Sequence, residues 1–268
     1  MSRSPRPSPW SRLFLLLLLG AGLAACATRP DPSDPEAVAE FREANDPLEP
    51  LNRASYFVND GIDTLLLRPA AEAYRIFVPP EVRVGVRNVL GNVRTPVVLL
   101  NDVLQGDSYG AAETLGRFLL NTTLGVGGIF DVAKDLGLPG HANDFGQTLA
   151  RWGTGEGPYL FVPVLGPSNP RDLAGAGADL ATNPLNYVGG EFWSGLNTGR
   201  TVASGLDTRE GLIDPLDAVR RESLDPYATI RSAYRQRRAA EVARTSGASQ
   251  AARGTGFGAG TGGPGQNR

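Results

Sequence analysis

Apolar residues recur at helical spacing through most of this chain. Between Pro80 and Pro96, Val82, Val86, Val89 and Val93 stand at i, i+4, i+7 and i+11. At about 100° per residue they share a stripe about 60° wide. Arg83, Arg87 and Arg94 fall in a separate wedge about 40° wide. A valine-rich segment can also form a strand, but these arginines do not alternate with period two, so a helix is predicted.

Helix-start signals accompany the pattern. Asp46-Pro47 with Glu49 reads as a cap, a first-turn proline and a capping-box acid, and Asn169-Pro170 with Asp172 repeats the device. Asp225-Pro226 opens a final helix with Tyr227, Ile230 and Tyr234 on one face and Arg231, Arg235 and Arg238 beside them. Asp107 can cap a helix running through Leu115 and Phe118 to about Asn121. Residues 107–120 carry little charge beyond Glu113 and Arg117, which stand at i and i+4 and can pair. This helix suits either membrane contact or the core of a soluble bundle, and periodicity alone favours the bundle core. Tyr159 to Leu165 is apolar but interrupted by Pro163 and reads as extended loop. With no succession of strands and hairpin turns, the body is expected to be mostly α.

The ends differ from the body. Arg3, Arg6 and Arg12 precede the apolar run from Leu13 to Leu19, which is too short to span a bilayer, and small residues lead into Cys26. Residues 1–25 therefore read as a secretory signal, and Leu23-Ala24-Ala25-Cys26 resembles the bacterial lipobox, which makes Cys26 the expected lipidation site. Acyl chains on Cys26 would anchor the protein firmly at about 0.8 kcal/mol per buried CH₂. Residues 26–35 form a Pro-rich tether and residues 243–268 a Gly-rich tail expected to be disordered, leaving 36–242 as the folded body. No apolar run of 18 or more residues follows residue 25, so no ordinary membrane-spanning helix is expected.

Composition removes several chemistries. One Cys and one His among 268 residues exclude a disulfide framework within one chain and a Cys/His zinc cluster. A hydrolytic triad could use only His141, which lies in a loop-like stretch, and no Gly-x-Ser-x-Gly elbow is present. Gly125-Val126-Gly127-Gly128 lacks the dinucleotide-binding spacing and reads as a turn. A formal charge of −2 argues against a nucleic-acid partner. No cofactor is expected.

The order of motifs then carries a resemblance. Asn45-Asp46-Pro47-Leu48-Glu49-Pro50-Leu51-Asn52-Arg53 opens the body, and Arg68-Pro69-Ala70 precedes Tyr74-Arg75. Asn101 with Leu104-Gln105-Gly106, Arg117-Phe118 and Asn121-Thr122-Thr123-Leu124-Gly125 follow. Next come Phe145-Gly146-Gln147-Thr148-Leu149, Gly157-Pro158-Tyr159-Leu160, Pro163, Gly166-Pro167-Ser168 and Arg171-Asp172, and Asp225-Pro226-Tyr227 closes the series. The series resembles the MlaA (VacJ) family of outer-membrane lipoproteins from about residue 45 to 235.

The resemblance implies one all-α, ring-like or disc-like domain of amphipathic helices in the inner leaflet of the outer membrane, facing the periplasm. It implies removal of mislocalised phospholipids from the outer leaflet through an amphipathic channel, without catalysis. Its implied partners are a trimeric porin and an MlaC-like periplasmic lipid carrier that feeds an inner-membrane ABC transporter. Arg83, Arg87 and Arg94 become candidates for lining the channel or touching headgroups, with a solvated periplasmic face as the other reading. The family's gating segment corresponds to residues 56–63, with Phe57, Asn59 and Asp60 as candidates, and its pore-side hairpin to 183–200. A structural adaptor that scaffolds porin complexes without moving lipid is the alternative function.

Overall fold

The structure, a computed structural model, describes residues 33–245 except 36, 37, 39, 40, 42 and 43. The signal, Cys26, most of the tether and the tail from 246 lie outside the described residues. In chain order the elements are α1 (Glu49–Ile62), a π-helical turn (Asp63–Leu67), α2 (Arg68–Phe77), α3 (Pro80–Leu104), α4 (Ser108–Thr123), α5 (Val132–Asp135) and α6 (Phe145–Arg151). Then follow β1 (Leu160–Val162), β2 (Gly166–Ser168), α7 (Pro170–Thr182), a 3-10 turn (Pro184–Tyr187), α8 (Glu191–Gly211), α9 (Ile213–Glu222) and α10 (Pro226–Thr245). The body is all-α apart from the antiparallel hairpin of β1 and β2, paired Leu160 to Ser168 and Val162 to Gly166. That hairpin replaces the extended loop expected at 159–165.

Most expected caps form. Asp107 accepts from the Gly110 N–H at 2.8 Å, Asn169 from Asp172 N–H at 2.8 Å, and Asp225 from Ala228 N–H at 3.1 Å. Asp46 is the exception: α1 begins later, behind Leu48 with no side-chain cap. Asp46 is instead buried, accepting from Asn52 Nδ2 at 2.7 Å, Arg231 at 2.9 Å and the Tyr227 hydroxyl. Three side-chain donors in a dry site outweigh one exposed cap. Helix α3 runs through Pro96 to Leu104. Pro96 removes one backbone bond inside the helix, and the Val97 and Val98 that follow it are buried.

The interior is polar to an unusual degree. Among the described residues, 8 hydrophobic side chains are buried against 19 polar or charged ones, while 31 large hydrophobics are exposed. Phe77 is 82% exposed and Leu65 76%, whereas Asp102 is fully buried. Isolated exposed apolar residues are ordinary, but this inversion marks a molecule whose surroundings are partly apolar. Helix α4 shows the inversion locally: Glu113, Thr114 and Asn121 face inward while Leu115 and Leu119 are exposed. The soluble-bundle reading of that helix is therefore overturned. Its Glu113 and Arg117 do not pair; Arg117 Nη2 bonds both Asp131 oxygens at 2.9 Å and Glu113 faces His141 at 3.5 Å.

Among the described residues one apolar cluster forms, Tyr159, Phe161 and Tyr227 with Tyr56, Ile230 and Tyr234 against it. Arg53 stacks over the Tyr227 ring at 4.5 Å. Elsewhere, close approach and charge hold helices together. A Cβ on Gly175 would lie 2.3 Å from the Gly146 nitrogen, so only glycine lets α7 touch α6. Above that crossing Arg238 of α10 bonds Asp144 at 2.8 and 2.8 Å and Asp172 at 2.7 and 2.8 Å. On the other side, His141 donates to Asp102 at 2.8 Å, and Asn143 and Thr114 complete that carboxylate at 2.7 and 2.6 Å.

These two networks predict opposite pH dependences. Burial pushes the Asp144 pKa up, but the Arg238 bonds and backbone cap together hold it down to about 2 from 3.8. Its contribution is complete above the unfolded value and is lost as pH falls through the folded one. Arg238→Gln is expected to cost about 3–5 kcal/mol and to flatten the stability slope between pH 4 and 2 in thermal melts of the detergent-solubilised protein. The bond to Asp102 raises the His141 pKa, burial opposes it, and Glu113 adds to the rise. That contribution is complete below about 6.5 and fades as pH climbs through the raised folded value. In the same melts His141→Gln is expected to remove the alkaline decline; an unchanged slope would show that His141 does not carry it.

Candidate apolar cavity between two helices

The valine stripe of α3 faces a partner. Val82, Val86, Val89 and Val93, with Gly85 and Leu90, form one wall of a cavity of about 790 Å³. Trp193, Leu196, Gly199 and Ala203 of α8 form the other wall, closed by Leu185, Ile129 and Phe130. The volume lies within the range of small-molecule sites. Its polar contributors are Glu81, Asn197 and Arg200. Branched valines are stiff at χ1 and glycines carry no side chain, so the wall is smooth as well as apolar.

Polar bonds fix each wall. Asn88 Nδ2 donates to the Ile129 carbonyl at 3.0 Å and Asn92 Nδ2 to the Gly127 carbonyl at 3.4 Å, seating the 124–130 turn on α3. That turn requires Gly128, whose φ is +96° and where a Cβ would come within 2.5 Å of Asn92. On the far wall Asn197 Nδ2 donates to the Leu185 carbonyl at 2.8 Å, tying the 3-10 turn to α8. The segment 183–200 thus contributes Leu185, Trp193, Leu196, Asn197, Gly199 and Arg200 to the cavity.

Two arginines of the predicted wedge join the walls. Arg87 forks onto Asp207 with two 3.1 Å bonds, and Arg83 bonds the buried Glu210, which Arg75 of α2 also reaches at 2.9 Å. Neither belongs to the cavity lining, and both have acids of α8 as partners. Arg94 is exposed, next to the lining residue Val93, and makes no ion pair among the described residues. Sequence spacing separated the stripe from the wedge but could not say which side met the cavity.

The candidate gating residues cluster elsewhere on α1. Phe57 is exposed and meets the Tyr56 ring edge-on at 5.7 Å. Asn59 Oδ1 accepts from the Val164 N–H at 2.8 Å, pinning a hairpin residue held at φ +69°. That conformation is strained for a β-branched side chain. Asp60 accepts from Arg220 at 2.6 Å, and the π-helical turn follows directly. There Asp63 turns inward to Arg209 and Arg220, both at 2.9 Å, while Leu65 and Leu66 project outward. Wide turns of this kind recur at functional sites.

Sequence reasoning reached Trp193 only within the 183–200 segment and gave Arg200 no role of its own. Both were visible as a pattern: Trp193, Leu196, Arg200 and Ala203 stand at i, i+3, i+7 and i+10, one arginine inside an apolar helical stripe. Among the described residues no group of three or more His, Cys, Asp or Glu is placed to hold a metal ion, and no helix is long and apolar enough to cross a membrane.

Comparison with known proteins bears on this geometry. The MlaA lipoprotein family model matches residues 44–241. A Shigella flexneri protein named intermembrane phospholipid transport system lipoprotein MlaA is 39% identical over 203 residues, covering 72% of this chain and 76% of that protein. The Escherichia coli K12 protein of the same name is also 39% identical over the same shares. A solved chain from work described as the structural basis for maintenance of bacterial outer membrane lipid asymmetry superposes with a TM-score of 0.65 at 37% identity. It covers 74% of this chain and 98% of its own length.

The wall junction is open to a direct check. Glu210→Gln leaves Arg75, Arg83 and Arg87 around a neutral amide and is expected to cost about 3 kcal/mol. Limited proteolysis should then cut near the α8–α9 junction at Leu212 faster than in the wild type. Equal cleavage rates would mean that Glu210 does not join the walls.

Proposed function

As the chain belongs to the MlaA lipoprotein family, we propose that it is an outer-membrane lipoprotein which removes mislocalised phospholipids from the outer leaflet. The observation that carries this reading is the cavity walled by the α3 valines and the α8 apolar stripe, inside a body whose outer surface is rich in exposed hydrophobics. The exposed side chains of α1, α2 and α4 suit contact with lipid, and the cavity suits an acyl chain. A lipid changing leaflets needs a polar route for its headgroup while its tails stay in an apolar surround, since a charged group in hydrocarbon costs several kcal/mol. Such transfer breaks no covalent bond and calls for no cofactor.

On this reading Cys26 carries the acyl anchor and the body lies in the inner leaflet, facing the periplasm. A trimeric porin embraces it, and a soluble MlaC-like carrier receives the lipid. Residues 56–63 act as the gate, where Asn59 holds the strained hairpin turn and Asp60 the Arg220 side chain. Arg83 and Arg87 clamp the cavity walls, and Arg94, exposed beside Val93, is the wedge's candidate for a phosphate.

The test is a substitution in the wall. Val89→Asp is expected to raise the outer-leaflet phospholipid that added phospholipase can reach in intact cells to the level of a deletion strain. Val89→Leu should preserve the wild-type level. Porin trimers and the amount of the lipoprotein should be unchanged in both. Were Val89→Asp to behave as wild type, the adaptor function would be favoured over transport.

A further inference from the structure

Among the described residues Arg83, Arg200 and Arg209 each bury a guanidinium N–H without a hydrogen-bond partner, but Arg83 and Arg209 are paired with carboxylates and Arg200 is not. Its Nε is shut off from solvent without a hydrogen-bond partner, and the side chain makes no ion pair among the described residues. It lies on the lining of the apolar cavity, on the same face of α8 as Trp193, Leu196 and Ala203. Glu81, the one carboxylate of the lining, forms no ion pair with it. By contrast, Arg238 of the same interior is forked onto two carboxylates. A buried guanidinium donor left open in an apolar site carries a standing desolvation penalty. A bound oxyanion would relieve it, and the planar fork matches phosphate oxygens in particular.

We propose that Arg200 binds the phosphate of a phospholipid whose acyl chain lies along the valine wall of α3. This assignment rests on the lipid-transport reading above. It makes the cavity selective for lipids bearing a phosphate over uncharged glycerides with the same tails. Arg200 is then the specificity-determining residue, with Asn197 one turn earlier already committed to the Leu185 carbonyl. Free phosphate is the other source of the same chemistry.

Trp193 supplies the reporter, because it lines the same cavity. The full-length lipoprotein in detergent would be titrated with phosphatidylglycerol brominated along its acyl chains, with diacylglycerol brominated in the same way, and with inorganic phosphate. A Trp152→Phe background leaves Trp193 as the tryptophan of the described body. Both lipids should quench the wild-type fluorescence. Arg200→Gln should weaken the phosphatidylglycerol midpoint about tenfold or more and leave diacylglycerol unchanged, in keeping with the loss of a charge-assisted bond. Arg200→Lys should recover part of the loss.

An Arg200→Gln variant that binds phosphatidylglycerol as the wild type does overturns the assignment while leaving the transport reading in place. Equal loss for both lipids also overturns it, since the variant has then damaged the cavity itself. Inorganic phosphate that blocks phosphatidylglycerol quenching at millimolar concentration assigns Arg200 to the free ion instead. If neither lipid quenches the wild type, it is the acyl-chain cavity, and with it the transport reading, that fails.

Discussion

Three of the carboxylates that begin helices are also the partners of arginines remote in sequence. Asp131 caps α5 and takes Arg117, Asp144 caps α6 and takes Arg238, and Asp225 caps α10 and takes Arg53. Each carboxylate accepts from backbone N–H groups at the positive end of a helix and from a guanidinium at once. The two interactions reinforce each other, because both favour the charged form. Arginine at 25 of the 26 basic residues suits this use, since its fork can meet two carboxylate oxygens while lysine offers a point charge. The position of one helix start thereby fixes the position of another helix.

That constraint follows from where the hydrophobic side chains go. The leucines, valines and phenylalanines of α1, α2 and α4 are largely on the outer surface, and the α3 valines line a cavity. Few remain to form a core, and the aromatic cluster around Tyr227 is small. In an apolar surround the hydrophobic effect does not press helices together, so packing and polar bonds must do so. Buried ion pairs add little net stability over an apolar core, but they are directional and costly to leave half-made. They suit a body that must keep two helices apart across an open space rather than collapse onto it.

How much of this could be read from the sequence depended on range. Caps are local, and Asp107, Asn169 and Asp225 were correctly placed from neighbours within three residues. Asp46 failed because its partners Tyr227 and Arg231 lie beyond position 220, where no spacing rule reaches. Glu113 and Arg117 failed for the same reason: the i+4 partner was available, but His141 and Asp131 met them in better geometry. The helical stripe on α3 is legible in the sequence, while the opposing stripe on α8 carries Arg200 within it and is harder to read as one apolar face. Alternation also misled at the hairpin, where Pro163 and Pro167 hide two strands of three residues. The polar inward face of α4 could not be deduced from periodicity, which reports that two faces differ and not which of them meets the protein.

The wall chemistry bears on how a conduit of the proposed kind can release what it takes up. A path must bind well enough to admit its passenger and weakly enough to let it leave. A valine wall satisfies both, because dispersion and burial act along the whole length of an acyl chain without a preferred register. One methylene exchanges for the next as the chain slides, and no hydrogen bond has to break. The wall's rigidity matters equally. Val82, Val86, Val89 and Val93 have little rotamer freedom to lose when a chain arrives, so binding and release involve little reordering of the protein. With the wall unselective, discrimination must come from the few polar groups on the lining, and Glu81, Asn197 and Arg200 are the ones it contains.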